Sequence, residues 1–533
     1  MKKLIFATIG LALPVLLSAQ SAIDAYNLSQ SDIRGTARFM SMGGAFTALG
    51  GDLSTLVQNP AGIGVYRRSE IGATIDISPK NITAQTGTTK SKVSSTPVSC
   101  NNFGYVGTVN LGGAMETFSW GATFNRVASF DRKFSAYNGM TSTSLSNYIA
   151  DYTSGTPSSG MEFGSGNLNT YNPYFDSDID WLSILAYNSY MINPTNGNGY
   201  HGLYQQGTKG DAWTEMRETG YVDEYAIDFG GNVKDLVMWG IGFGITDLKY
   251  NKVAYYSESM EKAYVMTSSG SMTTGNAGFD LSNYQRVDGT GFNVKLGLIF
   301  KPVNELRIGI AFHTPTWYSL TTKGYAETAY SYLNPNAPEG RENPLSGSEY
   351  TDDYYYNFRL TSPWKIMVGA AYVIGSKAIL SADYEHQAYN KMRLSYQGQF
   401  GDYVSDDYVN GDISDYYKSA NIFRIGAEYR VTPEFSVRAG YNYTSSTASN
   451  YMEGRNEILT AGTDPSYTYN RGVNAVSIGL GYRYKTFYVD GAYIYKNKKM
   501  TYKAYTDFGS YTSPSADLTD NTNSIVLSLG FKF

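Results

Sequence analysis

Residues Asn421 to Thr444 read NIFRIGAEYRVTPEFSVRAGYNYT. Phe423, Ile425, Ala427, Tyr429 and Val431 share one face of an extended chain, and Arg424, Gly426, Glu428 and Arg430 share the other. After Thr432-Pro433-Glu434 the alternation resumes, with Phe435, Val437, Ala439, Tyr441 and Tyr443 opposing Ser436, Arg438, Gly440 and Asn442. A period of two marks strands with one apolar face, and so short a connection makes the pair a hairpin. Val476, Ile478, Leu480, Tyr482 and Tyr484 repeat the pattern against Ser477, Gly479, Gly481 and Arg483, as do Leu306, Ile308, Ile310 and Phe312 against Arg307, Gly309 and Ala311. Alternation alone does not say whether the apolar face meets a protein core or lipid.

Connection lengths decide. Short turns occur near Gly112-Gly113, Gly231-Asn232, Pro302-Val303, Gly375-Ser376, Thr432-Pro433 and Lys485-Thr486. Between them lie long polar segments: Ser78 to Asn101, Ser129 to Gly220, Asn251 to Ser282, Thr314 to Tyr350, Gln387 to Asp415, Thr444 to Pro465 and Asn497 to Leu518. Strict alternation of short and long connections is the asymmetry of an outer-membrane barrel, with turns at the periplasm and loops outside. The spacing predicts an all-β fold, a transmembrane antiparallel barrel of about 14 strands. The strands are expected to begin near Glu70, Asn102, Glu116, Tyr221, Leu236, Tyr284, Glu305, Tyr354, Lys377, Lys418, Glu434, Tyr467, Thr486 and Asn521. The final strand ends on Phe533, like the terminal aromatic read by the barrel-assembly machinery, which is the expected partner in biogenesis. Tyrosines cluster where strands end, as at Tyr354-Tyr355-Tyr356, Tyr493 and Tyr495, which suits interfacial girdles facing outer-membrane lipid.

Composition agrees. Charged residues make up 17% of the chain, against 56 glycines and 49 tyrosines, and the net charge of −5 gives no basic footprint for nucleic acid. Cys100 is the single cysteine, so no intrachain disulfide forms. Met1-Lys2-Lys3, the apolar run Leu4 to Leu17 and Ser18-Ala19-Gln20 read as a signal peptide over residues 1–19, cut after Ala19. Residues 70–533 are assigned to the barrel.

Residues 20–69 are not strand-like. A fourteen-stranded barrel has a lumen too wide for wall side chains to fill, so this segment is expected to fold into it as a periplasmic-side plug. Gly43-Gly44-Ala45 and Gly50-Gly51 permit close backbone approach, Asp52 caps a short helix over Leu53 to Gln58, and Pro60 ends it. Gly240, Gly242 and Gly244 of one strand are expected to give the hollow that receives it. No βαβ unit follows them, so they are not read as a nucleotide loop.

The segment ARFMSMGGAFTALGGDLSTLVQNPAGIGVY, Ala37 to Tyr66, resembles the amino-terminal hatch of the long-chain fatty-acid channel family, the FadL and TodX group. The likeness covers the Gly-Ala-rich approach, the short helix and the motif Asn59-Pro60-Ala61-Gly62; the long loop Ser129 to Gly220 departs from it. The resemblance implies passive import of hydrophobic small molecules such as fatty acids. They are caught by the loops, held in a pocket above the hatch and released through a side opening at a kink in the third strand. That strand runs here from about Glu116 to Val127, with Ser119, Gly121, Thr123 and Asn125 on its lumen face.

Three sets of residues are carried forward. Asn59, Pro60, Ala61 and Gly62 are the hatch turn, placed beneath the pocket. Lys295, Arg307, Lys365, Arg424, Arg438 and Arg483 lie on polar faces and are expected in the lumen. Most should pair with Glu224, Asp228, Asp383, Glu385 and Glu428, and any left unpaired would anchor a carboxylate. Trp181, Leu182, Leu185 and Met191, within the amphipathic run Asp178 to Ile192, form either an exposed capture groove or a packed loop helix. His201, His313 and His386 show no paired spacing, and Asp352, Asp353, Asp406 and Asp407 read as solvated loop charges, so no enzyme activity, metal or cofactor is expected. The competing function is a barrel that displays its loops for adhesion or serves as a secretion shuttle.

Overall fold

The computed structural model describes residues 20–140, 143–164, 170–195, 197–334, 344–375, 377–398, 401–509 and 511–533. The expected signal peptide and the turn residue Ser376 lie outside them. The wall is a closed antiparallel barrel of fourteen strands. In chain order they are Glu70–Ile77, Val98–Asn110, Met115–Ser129, Lys209–Val233, Val237–Met266, Met272–Phe300, Leu306–His313, Lys365–Ile374, Ala378–Gln387, Ala420–Arg430, Phe435–Thr444, Tyr467–Tyr484, Phe487–Lys503 and Ser515–Lys532. Each pairs with the next, and the last pairs with the first from Glu70↔Lys532 to Ile77↔Ile525. The closure continues to the chain end: Ser69 and Phe533 exchange both backbone hydrogen bonds at 3.0 Å, so no wall edge is left open there.

The alternation has the orientation of a membrane barrel. Outward aliphatic side chains stay uncovered, among them Ile75 at 55%, Ile245 at 57%, Ile478 at 57% and Leu527 at 53% exposure, whereas a sandwich would bury them. Outward tyrosines pair across strands with asparagines, Tyr441 with Asn474 and Tyr495 with Asn521, each at 2.8 Å. This gives each ring a polar tip at the rim of the apolar band.

Several expected loops are instead wall. Asn251 to Ser282 belongs almost entirely to the fifth and sixth strands, which run unbroken to a turn at 267–271. Ser78 to Asn101 contains the hairpin Lys80–Thr86 and Thr89–Ser95, and strand Trp317–Leu333 continues the wall beyond the seventh strand. The physical reason is an inversion of the pattern. In the fifth strand Ile241, Phe243 and Ile245 face outward and Gly240, Gly242 and Gly244 inward. Farther along the same strand Leu248, Tyr250, Tyr256 and Met260 are buried within, while polar Asn251, Ser257 and Ser259 face out. Above the lipid the outside meets water and the inside meets a protein core, so the period of two persists with its sense exchanged. Pro79, Pro97, Pro315 and Pro363 interrupt four wall strands near that crossover, where a missing N–H is tolerated only because the ladder is already breaking.

That upper core closes the top. Phe134, Leu145, Ile149 and Ile184 pack with inward residues of the elongated strands. A second apolar cluster joins the amino-terminal helix Ala22–Ser29 to Tyr389, Met392, Ile413 and Tyr417.

Candidate functional site

Residues 20–66 lie inside the wall, and glycine makes this fit. A Cβ on Gly240 would strike the Pro60 carbonyl, one on Gly297 the Asn59 side chain, and one on Gly309 the Thr47 carbonyl. Gly426 and Gly440 admit Met42 and Gly43, and a Cβ on Gly121 would come within 2.7 Å of Leu56. Polar ties complete the seat. Thr47 donates its backbone N–H to Asp383 at 2.8 Å, Arg38 pairs with Glu428 at 2.9 Å, and Arg307 donates to the Leu49 carbonyl at 2.6 Å.

The motif turns at the centre of this seat. Helix Thr55–Gln58 ends at Asn59, and a 3-10 turn, Pro60–Val65, follows. Asn59 is fully buried; its amide donates to the Thr47 carbonyl at 2.6 Å and its oxygen accepts from the Ala61 N–H at 3.1 Å. Pro60 fixes φ where no donor is required, and Ala61 and Gly62 are buried without bulk. Replacing Asn59 with Leu strands two buried backbone groups, each costing about 1–3 kcal/mol. The expected result for Asn59→Leu is an assembled barrel whose hatch amides exchange with deuterium at least tenfold faster, read by mass spectrometry, with unchanged exchange in the wall.

One element departs from a periplasmic-side plug. Helix Ala22–Ser29 climbs to the loop-side end of the lumen, capped by Ser21, which accepts from the Asp24 N–H at 3.3 Å. Tyr26 stacks on Tyr417, with ring centroids 4.5 Å apart, and accepts from Thr447 at 2.8 Å. Between this roof and a floor that includes Met40, Val57 and Gln58 lies a cavity of about 320 Å³.

The cavity is amphiphilic. Phe39, Met40, Val222, Ile422, Val473 and Ile494 contribute apolar surface. Several charges around it are compensated: Lys295 pairs with Glu224 and Arg424 with Glu385. Arg132 pairs with Glu218 and, at 2.6 Å, Arg126 with Asp223. Arg438 pairs with both Glu428 and Asp490 at 2.6 Å, below the cavity. Of the six expected lumen cations, Lys295, Arg424 and Arg438 thus form ion pairs, while Arg307, Lys365 and Arg483 form none within 4.0 Å among the described residues. Arg483 is only half-buried near the turn side, and Arg307 holds the hatch. Lys365 lines the cavity, and among the described residues its ammonium donates to the Ser31 hydroxyl alone, at 3.0 Å. Of the expected acidic partners, Asp383 holds Thr47 and Asp228 is buried with neither carboxylate oxygen hydrogen-bonded.

Sequence reasoning missed three further cavity lysines, of which Lys496 pairs with Asp32 at 3.3 Å. Lys80 donates to the Asp131 carbonyl at 2.6 Å and Lys498 to the Gln30 side chain at 2.9 Å; neither meets a carboxylate within 4.0 Å. Both fall in segments assigned to loops. Extending the alternation Ile494, Lys496, Lys498, Met500 past the apolar band would have placed them inward.

Beside the cavity the second and third strands part. Second and third strands pair from Asn110↔Thr117 only as far as Asn102↔Asn125. Beyond that point Val98 to Asn101 keep the first strand alone as neighbour, while the third strand follows the fourth to Ser129↔Tyr221, with an irregularity between Arg126 and Ala128. The window is closed from within by the hatch. Asp32 donates its N–H to the Val127 carbonyl at 3.0 Å. Arg34 donates to Asp76 at 3.3 Å, and to Ser99 and Asn101 at 3.1 Å. Burial opposes the charge on Asp32, but Lys496, Arg34, Lys498 and Lys80 outweigh it and hold the carboxyl well below the usual range. Asp32 is therefore ionised across physiological pH.

The loop helix is not a groove. Trp181–Asn188 is capped by Asp180, whose carboxylate accepts from Leu182 at 2.8 Å, and Trp181, Leu182, Leu185 and Met191 are all buried in the upper core. An apolar face of that size is covered because the elongated strands supply a matching inner face.

No protein-family model matches the sequence, and no curated protein does. Among solved structures, a FadL homologue of Pseudomonas aeruginosa is 12% identical, with a TM-score of 0.52 over 94% of this chain and 99% of that one. The deltaS2 mutant of the monoaromatic hydrocarbon channel TodX is 13% identical, with a TM-score of 0.50 over 93% and 98%. At these identities the likeness is one of fold, and the expected FadL-type barrel architecture is borne out.

Proposed function

We propose that this barrel is an outer-membrane channel for passive import of hydrophobic compounds carrying an anionic head, with long-chain fatty acids as the leading class. The observation that carries the reading is the 320 Å³ cavity lying between hatch and roof, with Asn125, Arg126 and Val127 of the window edge in its lining. Its volume falls in the range of small-molecule sites, about 300–1,000 Å³. A barrel serving only as an adhesion or shuttle scaffold needs no such space. Lys365, Lys80 and Lys498 favour an acid over a plain hydrocarbon, because a carboxylate would give them charge-assisted partners they lack. The buried loop helix supports a capture step that begins with movement of the cap rather than with an open groove.

Burying a methylene gains about 0.8 kcal/mol, so a fully enclosed acyl chain would be held too tightly to leave a passive channel. Relaxation requires a moving part, and the clasp Asp32–Arg34 is placed to be that part, with exit through the window between second and third strands.

The reading is tested by incubating the purified barrel with a total lipid extract and identifying retained ligands by mass spectrometry. Fatty acids are expected. Lys365→Met should weaken palmitate binding about tenfold and leave binding of a neutral alkane of similar length unchanged. Equal retention of neutral alkane and acid by the parent protein would remove the anionic head from the proposal, and no retained lipid would remove the channel.

A further inference from the structure

The outer face of the elongated wall carries positive charge in an arrangement that is unfavourable by itself. Lys133 stands directly opposite Arg217, and Arg286 directly opposite Lys323, in two antiparallel ladders. Side chains opposite one another lie about 4.5–5.5 Å apart at Cβ, and like charges there destabilise the pairing. All four face outward and are exposed. Glu215 compensates Lys133 at 3.2 Å and Asp288 compensates Arg286 at 2.7 Å. Arg217, Lys323 and neighbouring Lys249 meet no carboxylate within 4.0 Å among the described residues. Lys133, Arg217, Lys249, Arg286 and Lys323 thus outnumber Glu215 and Asp288, the latter opposite Lys249, across five adjacent strands, the first of them Arg132–Met140.

Its height identifies the partner. The apolar band ends at Tyr225, Ile245, Phe292 and Trp317, which are aligned across four strands by the pairs Ile245↔Tyr225, Ile245↔Phe292 and Phe292↔Trp317. Lys249, Arg286, Lys323 and Arg217 follow four to eight residues farther toward the loops. At about 3.3 Å per residue and a tilt of roughly 40°, the belt lies about 10–20 Å above the band. A phospholipid headgroup layer is only about 5–8 Å deep. Cations at that height meet membrane anions only where a lipid head reaches beyond the phospholipid layer, as a phosphorylated oligosaccharide does.

We propose that this belt binds the phosphorylated saccharide head of an outer-leaflet glycolipid, a lipopolysaccharide, and that the bound anions offset the repulsion within the two cationic pairs. The proposal rests on the outer-membrane reading above and concerns a surface separate from the cavity. Phosphate groups seated between Lys133 and Arg217, and between Arg286 and Lys323, would accept from both members of each pair.

The triple variant Arg217→Gln, Arg286→Gln, Lys323→Gln tests it, because these side chains face solvent and support no core. The parent and the variant are reconstituted into phosphatidylethanolamine vesicles. These contain either phosphorylated rough lipopolysaccharide, the same lipid after enzymatic dephosphorylation, or phosphatidylglycerol at equal charge. Insertion is scored first, by heat-modifiable migration in electrophoresis. The parent is expected to retain at least tenfold more phosphorylated than dephosphorylated glycolipid in native mass spectrometry, and the variant to lose that preference. Thermal unfolding should change sign with the surroundings: the variant unfolds at an equal or higher temperature than the parent in glycolipid-free detergent, and at a lower one in glycolipid vesicles. A parent that inserts but retains phosphatidylglycerol as well as lipopolysaccharide overturns the belt alone. A variant less stable in both surroundings overturns it as well, by giving the cations a structural role. Failure to insert in any vesicle overturns the outer-membrane reading instead.

Discussion

A chain lacking Ser21 to Gly64, with residues 1–20 kept, is expected to assemble and to conduct ions in planar bilayers, where the parent conducts little. Assembly should survive because the wall closes without the hatch. The first strand pairs with the last along its whole length, and Ser69 and Phe533 finish the seam. The wall groups that the hatch now satisfies, Glu428, Asp383 and Arg307, would turn to water, which solvates them at little cost once the lumen is flooded. The glycines that receive the plug leave a clear bore when it is gone, since Gly240, Gly297, Gly309 and Gly440 bring no side chains inward. Removing Ala22 to Leu28 also takes one side out of the second apolar cluster, so the roof opens together with the floor. The expected conductance increase is at least tenfold over the parent under the same salt. A deleted form that assembles but stays closed assigns the seal to the upper core around Phe134, Ile149 and Ile184. One that stays closed yet loses uptake of hydrophobic substrate leaves the hatch as a shaper of the cavity only.

The wall was legible because the period of two needs no context. From Phe423 to Tyr443 each side chain's environment follows from its parity, and the short turns count the strands. The length of the strands was not legible by the same rule. Between Ile245 and Tyr250 the surroundings exchange sides, and a reader who expects apolar residues outside sees polar Asn251, Ser257 and Ser259 as loop. The hatch motif could be read as a turn from Asn59 and Pro60, but its receiving surface could not. Gly297 and Gly309 look like ordinary strand glycines until Asn59 and Thr47 are placed against them. Pairing of lumen charges was partly legible, since Arg424 meets Glu385 across neighbouring strands and Lys295 meets Glu224 across the intervening fifth strand, and the sequence leaves those registers open. The clasp was not legible at all. Arg34 lies outside every strand, and its partners Asp76, Ser99 and Asn101 come from two strands whose ladder irregularity exists only in three dimensions.

That clasp carries the largest expected effect on transport. Among the described residues Arg34 is the side chain that joins the hatch to the first strand, through Asp76, and to the second, the near edge of the window, through Ser99 and Asn101. All three acceptors share Nη1, which carries two N–H groups, so at the lower end of about 1.5–3 kcal/mol per charged hydrogen bond the cluster holds the segment shut by about 3 kcal/mol. Releasing it with Arg34→Ala should raise the population with an open window about a hundredfold, because each 1.4 kcal/mol is a factor of ten. The converse experiment fixes it. Arg34→Cys and Ser99→Cys, in a Cys100→Ser background that removes the exposed native thiol, place two thiols where the guanidinium now spans hatch and wall. A short bismaleimide replaces the side chain with a covalent strap. Strapped protein in proteoliposomes is expected to bind palmitate in the cavity as the reduced double variant does, while its transport into the vesicles falls at least tenfold. The distinction matters because the cavity lies inside the strap and the window lies under it. If strapping lowers binding and transport together, the segment gates entry to the cavity rather than exit from it. If strapped protein transports at the unstrapped rate, ligand leaves by another path, and the break in pairing beyond Asn102 and Asn125 is a bend in the wall with no part in release.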